Sequence, residues 1–448
     1  MSTLPLLGRV SNLGRLPIHG RPDYWTTLGR IQSGMVLDFT SATISDTLAA
    51  RGFTFTRSGA TATRVNSSGV LETVAANTLR IDHDPTTLAC LGGLFEEAST
   101  NAIRNSTMVG VVTGSPGTLP TNWSLAPAGL TQTVVGAGVE SGVPYVDVRL
   151  SGTTTSALAR FLFDANTAIA ASASQAWTQS VYMRLVGGSL ANVNSISPGI
   201  VYRDAGGTSL ASGDTAASVT TDALIVQRRM HTSTSPASTS YAQGSVNLSV
   251  VNGAAVDITL RIGAPQLEQK AFATSYIPTS TAAVTRNADA LTLSDLTRIG
   301  YSASAGTLVA QGVINGQSAS VYPALAALGM GASATDEMLL YRNAANNRFV
   351  FDSKVANVTQ FSASNTTTVA VGTAYKTAAA WAVNDAAHTT SGASPATDTS
   401  GSLSTIIDRM SIGGYQARGG GTTGVQTISR IEYYPRRLSN AELQSITT

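Results

Sequence analysis

Apolar and polar positions alternate along much of this chain with a period of two. One clear example has its apolar members at Val256, Ile258, Leu260 and Ile262, with the polar residues Asp257, Thr259 and Arg261 between them. This period predicts a β-strand with one face in a core and the other towards solvent. Gly263 and Pro265 interrupt the pattern and predict the end of that strand.

Similar segments recur through the chain. The main candidate strands cover residues 36–39, 52–56, 145–150, 177–184, 223–229, 245–251, 307–314, 338–342, 348–351 and 375–381. Turn-forming residues separate them at short intervals, and no long amphipathic helical pattern lies between them. The spacing predicts an all-β protein of antiparallel β-sandwich or jelly-roll domains rather than βαβ units.

Changes of pattern divide the chain into four parts. We expect an extended segment at 1–34, a small β collar module at 35–105, a β-sandwich at 106–285 and a second, tandem β-sandwich at 286–448.

The last part ends in a strand from Ile428 to Tyr434 and then Pro435. Ser439 is placed to cap a short helix there, with Glu442 three residues later as in a capping box.

Composition excludes several classes of protein. Charged residues make up only 12% of the 448, while 43% are hydrophobic, which is enough to build cores and argues against disorder. A net charge of +2 argues against a nucleic-acid partner. Cys90 is the single cysteine, so neither a disulfide framework nor a cysteine metal cluster is expected. We expect no membrane insertion and no secretory signal, and hence synthesis in a cytoplasm.

Three phrases in the middle of the chain carry a family resemblance: PQLE at 265–268, ATSYIPT at 273–279 and VTRNAD at 284–289. They resemble the exit of a carbohydrate-binding-module-like β-sandwich in tail-fibre and receptor-binding proteins of tailed bacteriophages and prophages. Residues 53–106, with the phrase GLFEEASTN at 93–101, resemble the preceding module of the same proteins. The end of the chain is similar to concanavalin-like (laminin-G-like) lectin domains at Arg437, Leu438, Ser439, Ala441, Glu442 and Leu443.

The resemblance implies a component of a phage or phage-like particle, made in the host cytoplasm and located in the virion. It implies a tail or head fibre or spike that joins other virion proteins through residues 1–34 and binds host-surface glycan without catalysis. It also implies a homo-oligomer, with a trimer favoured and a pentamer as the alternative. A tailspike-like glycan hydrolase and a purely structural decoration protein are the other two hypotheses.

The first 34 residues differ from the rest of the chain. Gly or Pro recurs every few positions, and the charges are nearly all positive, which predicts either a disordered tail or a segment that orders when it docks on a partner. The candidate anchoring residues are Arg9, Arg15, Arg21, Tyr24, Trp25 and Arg30.

Two loops of the second sandwich are the candidate ligand site, because an N-terminal anchor leaves the C-terminal domain outermost. One combines carboxylate, amide and guanidinium groups, and the other sets an aromatic ring beside a cation, both suited to a sugar. The residues are Asp336, Arg342, Asn346, Arg348, Tyr415 and Arg418. The alternative is that both loops are ordinary hairpin turns.

Further candidates have structural alternatives. Trp123 and Trp177 either stack on a sugar or belong to a sandwich core. Asp82, His83 and Asp84 are metal-ligand types, but a polar turn capped by Asp84 is the favoured interpretation, and no metal or cofactor is expected.

No nucleophile elbow, zinc-protease helix or phosphate loop occurs in the sequence. Glycan cleavage needs a pair of carboxylates across a groove. The neighbouring acids Glu96-Glu97 and Asp336-Glu337 would point to opposite faces of a strand. The chain is therefore expected not to be an enzyme.

Deleting residues 1–34 tests the anchor. The melting temperature should stay nearly unchanged while incorporation into particles is abolished, because the segment is expected to contribute to attachment and not to the cores. Calorimetry and immunoblotting of purified particles measure the two effects. Particles that still carry the truncated protein would refute the anchor.

Overall fold

The structure is a computed structural model, and it describes residues 34–59, 62–318, 322–331, 333–415 and 424–448. The described chain is all-β, as predicted, with strands far outnumbering helices. Neither of its two α-helices is long and apolar enough to cross a membrane.

The strands and helices follow one another in this order. Residues 34–105 form β1 (Met35–Asp38), α1 (Ile44–Ala50), β2 (Thr54–Thr56), β3 (Ala62–Val65), β4 (Leu71–Val74), β5 (Arg80–His83), β6 (Cys90–Glu96) and β7 (Ser99–Asn101). Residues 106–286 form β8 (Trp123–Ala126), β9 (Thr131–Glu140), β10 (Val143–Thr153), β11 (Leu158–Phe163), β12 (Ala176–Gly188), β13 (Val193–Arg203), β14 (Ser209–Asp214), β15 (Arg228–Thr234), β16 (Tyr241–Val250), β17 (Ala255–Glu268) and β18 (Val284–Arg286).

The remaining residues form β19 (Ala290–Leu293), β20 (Ala305–Gly316), β21 (Ala324–Met330), β22 (Ser333–Asn343), β23 (Arg348–Val355), β24 (Val358–Ala363), β25 (Ala374–Ala382), β26 (Asp385–Thr390), β27 (Ala396–Asp398), β28 (Arg409–Ile412), β29 (Val425–Tyr434) and α2 (Asn440–Thr447). Short 3-10 helices occur at Leu224–Val226 and Leu296–Ile299.

Two sheets make up what we call the large sandwich. Sheet 1 has the strand order β27-β26-β25-β20-β29-β6-β5, with β1 pairing the end of β29 beside β6. Sheet 2 has the order β2-β19-β28-β21-β22-β23-β24. Side chains of both sheets share one core, in which Trp381 of sheet 1 stacks on Phe351 of sheet 2 with ring centroids 5.5 Å apart. Burying side chains of this size is the main stabilising contribution.

Two five-stranded sheets make up the inserted sandwich. Sheet 3 has the order β15-β12-β17-β10-β9, and sheet 4 has the order β14-β13-β16-β11-β8. The alternation at residues 256–262 is confirmed, because Val256, Ile258, Leu260 and Ile262 all lie in the core between these sheets. In place of the strand predicted at 223–229, a 3-10 helix occupies Leu224–Val226 and β15 begins at Arg228.

Residues 35–105 do not stand apart as a collar. Strands β1, β2, β5 and β6 complete the sheets of the large sandwich, and Leu37 pairs with Ile431 near the other end of the chain. The sandwich predicted at 106–285 is thus inserted between two parts of the other, rather than preceding it in tandem. Period-two alternation shows which face of a strand is buried but not which strand is its partner.

This topology also changes the argument for an outermost C-terminal domain. Gly34 leads directly into β1, so a segment at 1–34 joins the large sandwich itself. The order of the chain therefore gives no reason to place the candidate loops of the large sandwich at the outermost end of the molecule.

A buried network of five charged side chains lies where the chain passes between the large sandwich and the inserted one. Its members, each at most 1% exposed, are Arg57, Arg80, Glu96, Arg286 and Asp289. Arg80 donates to Glu96 at 2.7 Å and to Asp289 at 2.5 Å, while Arg57 donates to the other oxygen of Asp289 at 3.0 Å. Arg286 completes the network 3.4 Å from Glu96.

Hydrogen bonds compensate for burying these charges. Arg57 also donates to the carbonyls of Val74, Ala75 and Thr78. Burial by itself would raise the pKa of Glu96, but Arg286 and Arg80, with hydrogen bonds from Ser275, outweigh it and hold that pKa at about 2. Glu96 is therefore ionised at neutral pH.

The family-like phrases coincide with this junction. Gln266 accepts a hydrogen bond from the backbone N–H of Ile277 and donates to Glu268 at 2.8 Å, which ties PQLE to ATSYIPT. Thr279 and Ser106 bond through their hydroxyls at 2.8 Å. Arg286 and Asp289 of VTRNAD belong to the charge network. These residues build a framework and do not form a ligand site.

The C-terminal helix is confirmed in detail. Ser439 Oγ accepts from the Glu442 N–H, and the Glu442 carboxylate accepts from the Ser439 N–H, which completes the predicted capping box. Leu438 and Leu443 pack with Tyr434 on the outer side of sheet 1.

The charge network leads to a stability prediction. Asp289→Asn should lower the free energy of unfolding by about 3–5 kcal/mol, because Arg57 and Arg80 would lose the carboxylate they share in a dry environment. Urea unfolding followed by circular dichroism measures the effect. Asp257→Asn is the control, since Asp257 pairs with Arg149 in an exposed ion pair. Equal unfolding midpoints for the two variants would contradict the role given to the network.

Candidate functional site

The candidate site is a cleft beside a two-stranded ribbon. Strands β7 and β18 pair at the neck of the inserted sandwich, with Thr100 opposite Thr285 and their hydroxyls 2.7 Å apart. A cleft of about 410 Å³ lies between this ribbon and the inserted sandwich. Its lining residues are Ala98, Ser99, Thr100, Ala102, Ile169, Ala170, Trp177, Gln269, Lys270 and Thr285. That volume lies in the range of small-ligand sites.

Some polar groups of the cleft are already engaged. Ser99 Oγ donates to Glu268 at 2.5 Å, and the Lys270 ammonium binds the Glu97 carboxylate. Lys270 also lies 5.8 Å from the centre of the Phe272 ring. The wall is therefore positioned before any ligand arrives, and Lys270 is largely neutralised by its partner.

Other polar groups of the cleft retain capacity for a ligand. Thr100, Thr285 and Gln269 are exposed, and their hydroxyl and amide groups both donate and accept hydrogen bonds. Such groups, together with the apolar Ala98, Ala102 and Ile169, suit a neutral polyhydroxylated molecule better than an ion.

The two tryptophans have different positions. Trp123 belongs to the core, where its ring centroid lies 4.5 Å from that of Phe163 and its indole N–H donates to the Asn105 carbonyl. Trp177 is only 3% exposed and also packs in the core, yet one side of it lines the cleft. Its indole N–H has no acceptor within the described residues. Trp177 thus supplies part of an apolar wall and not a free stacking platform.

The predicted aromatic and cation pair is not available as expected. Tyr415 is 2% exposed, and its hydroxyl donates to the Ser333 carbonyl at 3.0 Å while its ring covers Gly329. A sugar cannot stack on a ring buried in this way. Arg418 lies outside the described residues.

Arg342 and Asp336 are also buried. The Arg342 guanidinium donates to the Val369 carbonyl at 2.7 Å and to Asn347 at 2.9 Å, and it binds Gln317 as well. Asp336 accepts from the Ala356 N–H at 3.1 Å. Both side chains hold neighbouring loops, so neither presents its charge to a ligand.

Asn346 and Arg348 lie at the β22–β23 turn. Asn346 is exposed and accepts from the Arg348 N–H at 3.1 Å, as expected of a hairpin turn. Asp336 and Arg342 stand six residues apart on one strand, about 20 Å at a rise of about 3.3 Å per residue. The structure therefore does not bring the five described candidate residues together in one place.

The six candidate anchoring residues, Arg9, Arg15, Arg21, Tyr24, Trp25 and Arg30, lie outside the described residues. The cleft, by contrast, was not predicted from the sequence. The sequence signal for the cleft lies in the family-like phrases. Ser99 and Thr100 belong to EEASTN, and Thr285 belongs to VTRNAD. Their neighbours in those phrases build the junction, and these three residues line the cleft beside it.

The candidate metal ligands form a turn. Asp84 accepts from the N–H groups of Thr86 and Thr87 at 2.8 and 2.7 Å, and Asp82 accepts from Val65. Within the described parts of the chain no group of three or more His, Cys, Asp or Glu residues could hold a metal ion. The adjacent acids separate as expected, with Glu96 in the charge network and Glu97 at Lys270.

Comparison with known proteins gives no family. No family model matches the chain, and no curated protein matches it in sequence. Some solved structures are distantly similar over a third of the chain. One is the CBM40 module of the Ruminococcus gnavus IT-sialidase bound to α2,3-sialyllactose, with a TM-score of 0.28 and 17% identity over 33% of this chain and 84% of that chain.

Two other distantly similar structures come from different classes of protein. The heptameric SAP-like pentraxin from Limulus polyphemus has a TM-score of 0.27 and 12% identity, over 33% of this chain and 73% of that one. The enzymatically active domain of tailspike protein 4 of bacteriophage CBA120 has a TM-score of 0.21 and 17% identity, over 33% of this chain and 19% of that one. Scores this low identify neither a family nor a ligand.

The histidines are not gathered into a catalytic group among the described residues. His388 is wholly buried in the large sandwich, where its Nδ1 accepts from the Asn365 N–H at 3.3 Å. Its Nε2 must then carry the proton and donate to Thr377 Oγ1 at 2.9 Å. Burial lowers the pKa of His388 to about 3, so the native protein keeps this ring neutral.

This buried ring predicts an acid sensitivity. Stability should be complete above the ordinary histidine pKa of about 6.5 and fall as the pH drops towards 3, because only the unfolded chain takes up the proton. The slope from one such group is at most about 1.4 kcal/mol per pH unit. His388→Gln, which carries no charge at any pH, should unfold at lower urea at neutral pH but show a flatter decline between about pH 6.5 and pH 5.

Urea unfolding across that pH window provides the measurement. Burial also lowers the pKa of His231, so His231→Gln should remove a separate part of the same slope. A His388→Gln variant that keeps the whole wild-type slope would show that this ring is not the cause.

Proposed function

We propose that this chain is a non-enzymatic glycan-binding component of a phage or phage-like particle. Residues 1–34 join it to other virion proteins, and the cleft beside the β7–β18 ribbon binds a surface saccharide of the host. The observation that carries the proposal is the preformed cleft, lined by hydroxyl and amide groups with one side of an indole. The particle context rests on the family-like phrases quoted above.

The charges of the cleft favour binding over cleavage. A glycosidase needs one carboxyl free to donate a proton and a second free to act as nucleophile or base. Glu268 accepts from Ser99, Gln266 and Thr274, and Glu97 is paired with Lys270. Carboxylates with their oxygens engaged in this way support a structural role.

A homo-oligomer fits the same proposal, with a trimer favoured and a pentamer as the alternative. Several identical chains on one particle multiply weak saccharide contacts, because the second contact becomes intramolecular once the first has formed. A shallow cleft of hydroxyl and amide groups then suffices for adsorption.

Filling the cleft tests the saccharide site. Thr285→Tyr should weaken binding of the purified protein to its saccharide at least 10-fold, since a larger side chain on β18 would occupy the cleft. The melting temperature should not change, because Thr285 is exposed on a strand. Thr359→Tyr, at an exposed position of edge strand β24, is the matched control.

The measurement has two steps. Surface polysaccharides extracted from a panel of bacteria are screened for binding by biolayer interferometry, and the positive ones are assayed for new reducing ends. Binding without new reducing ends, lost in Thr285→Tyr only, is the expected result. New reducing ends would establish the glycan-hydrolase alternative, and the absence of any binding would favour the purely structural decoration protein.

A further inference from the structure

The outer face of sheet 4 has an unusual distribution of polar groups. On β16 the residues Ala242, Val246 and Leu248 point into the core, so Gln243, Ser245 and Asn247 point to the opposite face. Polar side chains on the outer face of a sandwich are normally solvated. Here the exposed fractions of these three residues are 1%, 0% and 2%.

Two arginines account for this burial. Arg160 of β11 donates to Asn247 Oδ1 at 2.8 Å, and its other nitrogen reaches Ser212 of β14 at 3.5 Å. Since β16 and β13 lie between β11 and β14, the Arg160 side chain lies across the face of the sheet. Arg203 of β13 donates to Gln243 Oε1 at 3.1 and 2.7 Å.

The charges on this face are not balanced. Within the described part of the chain, every hydrogen bond of the Arg160 and Arg203 guanidinium groups goes to a neutral acceptor. The carboxylate of Asp214 instead accepts from Asn247 Nδ2 at 2.7 Å. Burial lowers the pKa of Arg160 and the charge of Asp214 partly opposes this, so one carboxylate offsets part of the charge of two arginines. Burial lowers the pKa of Arg203, and the charge of Arg160 lowers it further, which means that the two cations repel each other. An anion placed between them would relieve that repulsion.

The floor between the arginines is closed and shallow. Gly199 and Ser245 form it, and a Cβ at Gly199 would lie 2.8 Å from Asn247 and 3.0 Å from Ser245. Exposed Ser212 and half-buried Leu162 and Tyr241 lie around it, so solvent reaches the rim of this face but not its floor. Hydroxyl, amide and aromatic groups around a cationic centre suit a saccharide that carries an acidic substituent.

We propose that the outer face of sheet 4 binds the anionic substituent of an acidic saccharide through Arg160 and Arg203, which Asn247 and Gln243 hold in place, with exposed Ser212 beside them. This inference deepens the proposed glycan binding by naming an acidic class of saccharide, and it assigns that class to a face distinct from the neutral cleft. The substituent is a carboxylate or a sulfate ester, since bidentate guanidinium pairing suits both.

The test compares three trisaccharides of similar size: trigalacturonate, a sulfated trisaccharide and maltotriose. Isothermal titration at low salt should show that at least one acidic trisaccharide binds the wild-type protein at least 10-fold more tightly than maltotriose. The acidic one that binds more tightly identifies the substituent. Affinity for that trisaccharide should also fall as salt is added.

Variants assign the binding to this face. Arg160→Gln should weaken acidic binding at least 10-fold. Ser212→Glu should do the same without removing an arginine, because it places a carboxylate beside Arg160 at an exposed position, so it remains informative if Arg160→Gln does not fold. Arg149→Gln removes an exposed cation of sheet 3, paired with Asp257, and should bind as the wild type does.

Two results would overturn the inference. One is equal wild-type affinity for maltotriose and both acidic trisaccharides, and the other is undiminished acidic binding by Ser212→Glu together with Arg160→Gln. Thr285→Tyr should leave acidic binding intact. If acidic saccharides do not bind the outer face of sheet 4 but polysaccharide binding still depends on Thr285, the further inference is wrong and the proposed function is retained.

Discussion

Five buried charged side chains, each at most 1% exposed, are the constraint on which the rest of this structure depends. Desolvating each charge costs several kcal/mol, and only close partners repay that cost. Arg57, Arg80 and Glu96 come from the first part of the chain, while Arg286 and Asp289 come from beyond the inserted sandwich. The network therefore forms only when both ends of the insertion meet the large sandwich in one arrangement. That arrangement also sets the geometry of the cleft, because Ser99, Thr100 and Thr285 lie on β7 and β18, the two strands next to the network.

Much of the fold was predictable because alternation and caps are local properties. The strand containing Ile258 and Leu260 and the helix capped by Ser439 follow from neighbouring residues alone. The pairing of β1 with β29 did not follow, since partners almost four hundred residues apart leave no local trace. The candidate site was predicted less well than the fold, for a related reason. Tyr415 and Arg342 have side chains that suit a saccharide. The amino-acid type of a residue does not show whether its side chain is buried, and both of these side chains are buried and bond to neighbouring loops. The burial of the arginines in the network was not predicted from the sequence, because charged residues are normally at the surface.

The two binding surfaces and the anchor divide between the two sandwiches. The large sandwich receives the segment 1–34 through β1, while the outer face of sheet 4 belongs to the inserted sandwich and the cleft lies at its neck. The proposed attachment and the proposed recognition are thus assigned to different sandwiches, joined beside the buried charge network. The cleft offers neutral hydrogen-bonding groups, and the outer face offers an excess of positive charge. A branched surface polysaccharide with neutral and acidic sugars would present both kinds of group to one molecule.

The insertion also has a consequence for biosynthesis. The strands of sheets 3 and 4 are complete once residue 268 has left the ribosome, so the inserted sandwich can fold while the rest of the chain is still being made. The first strand of the large sandwich, in contrast, must wait for β29, which pairs with it at residues 430–433. Until then β1 and β6 are unpaired edges, the kind of surface that recruits strands from other chains.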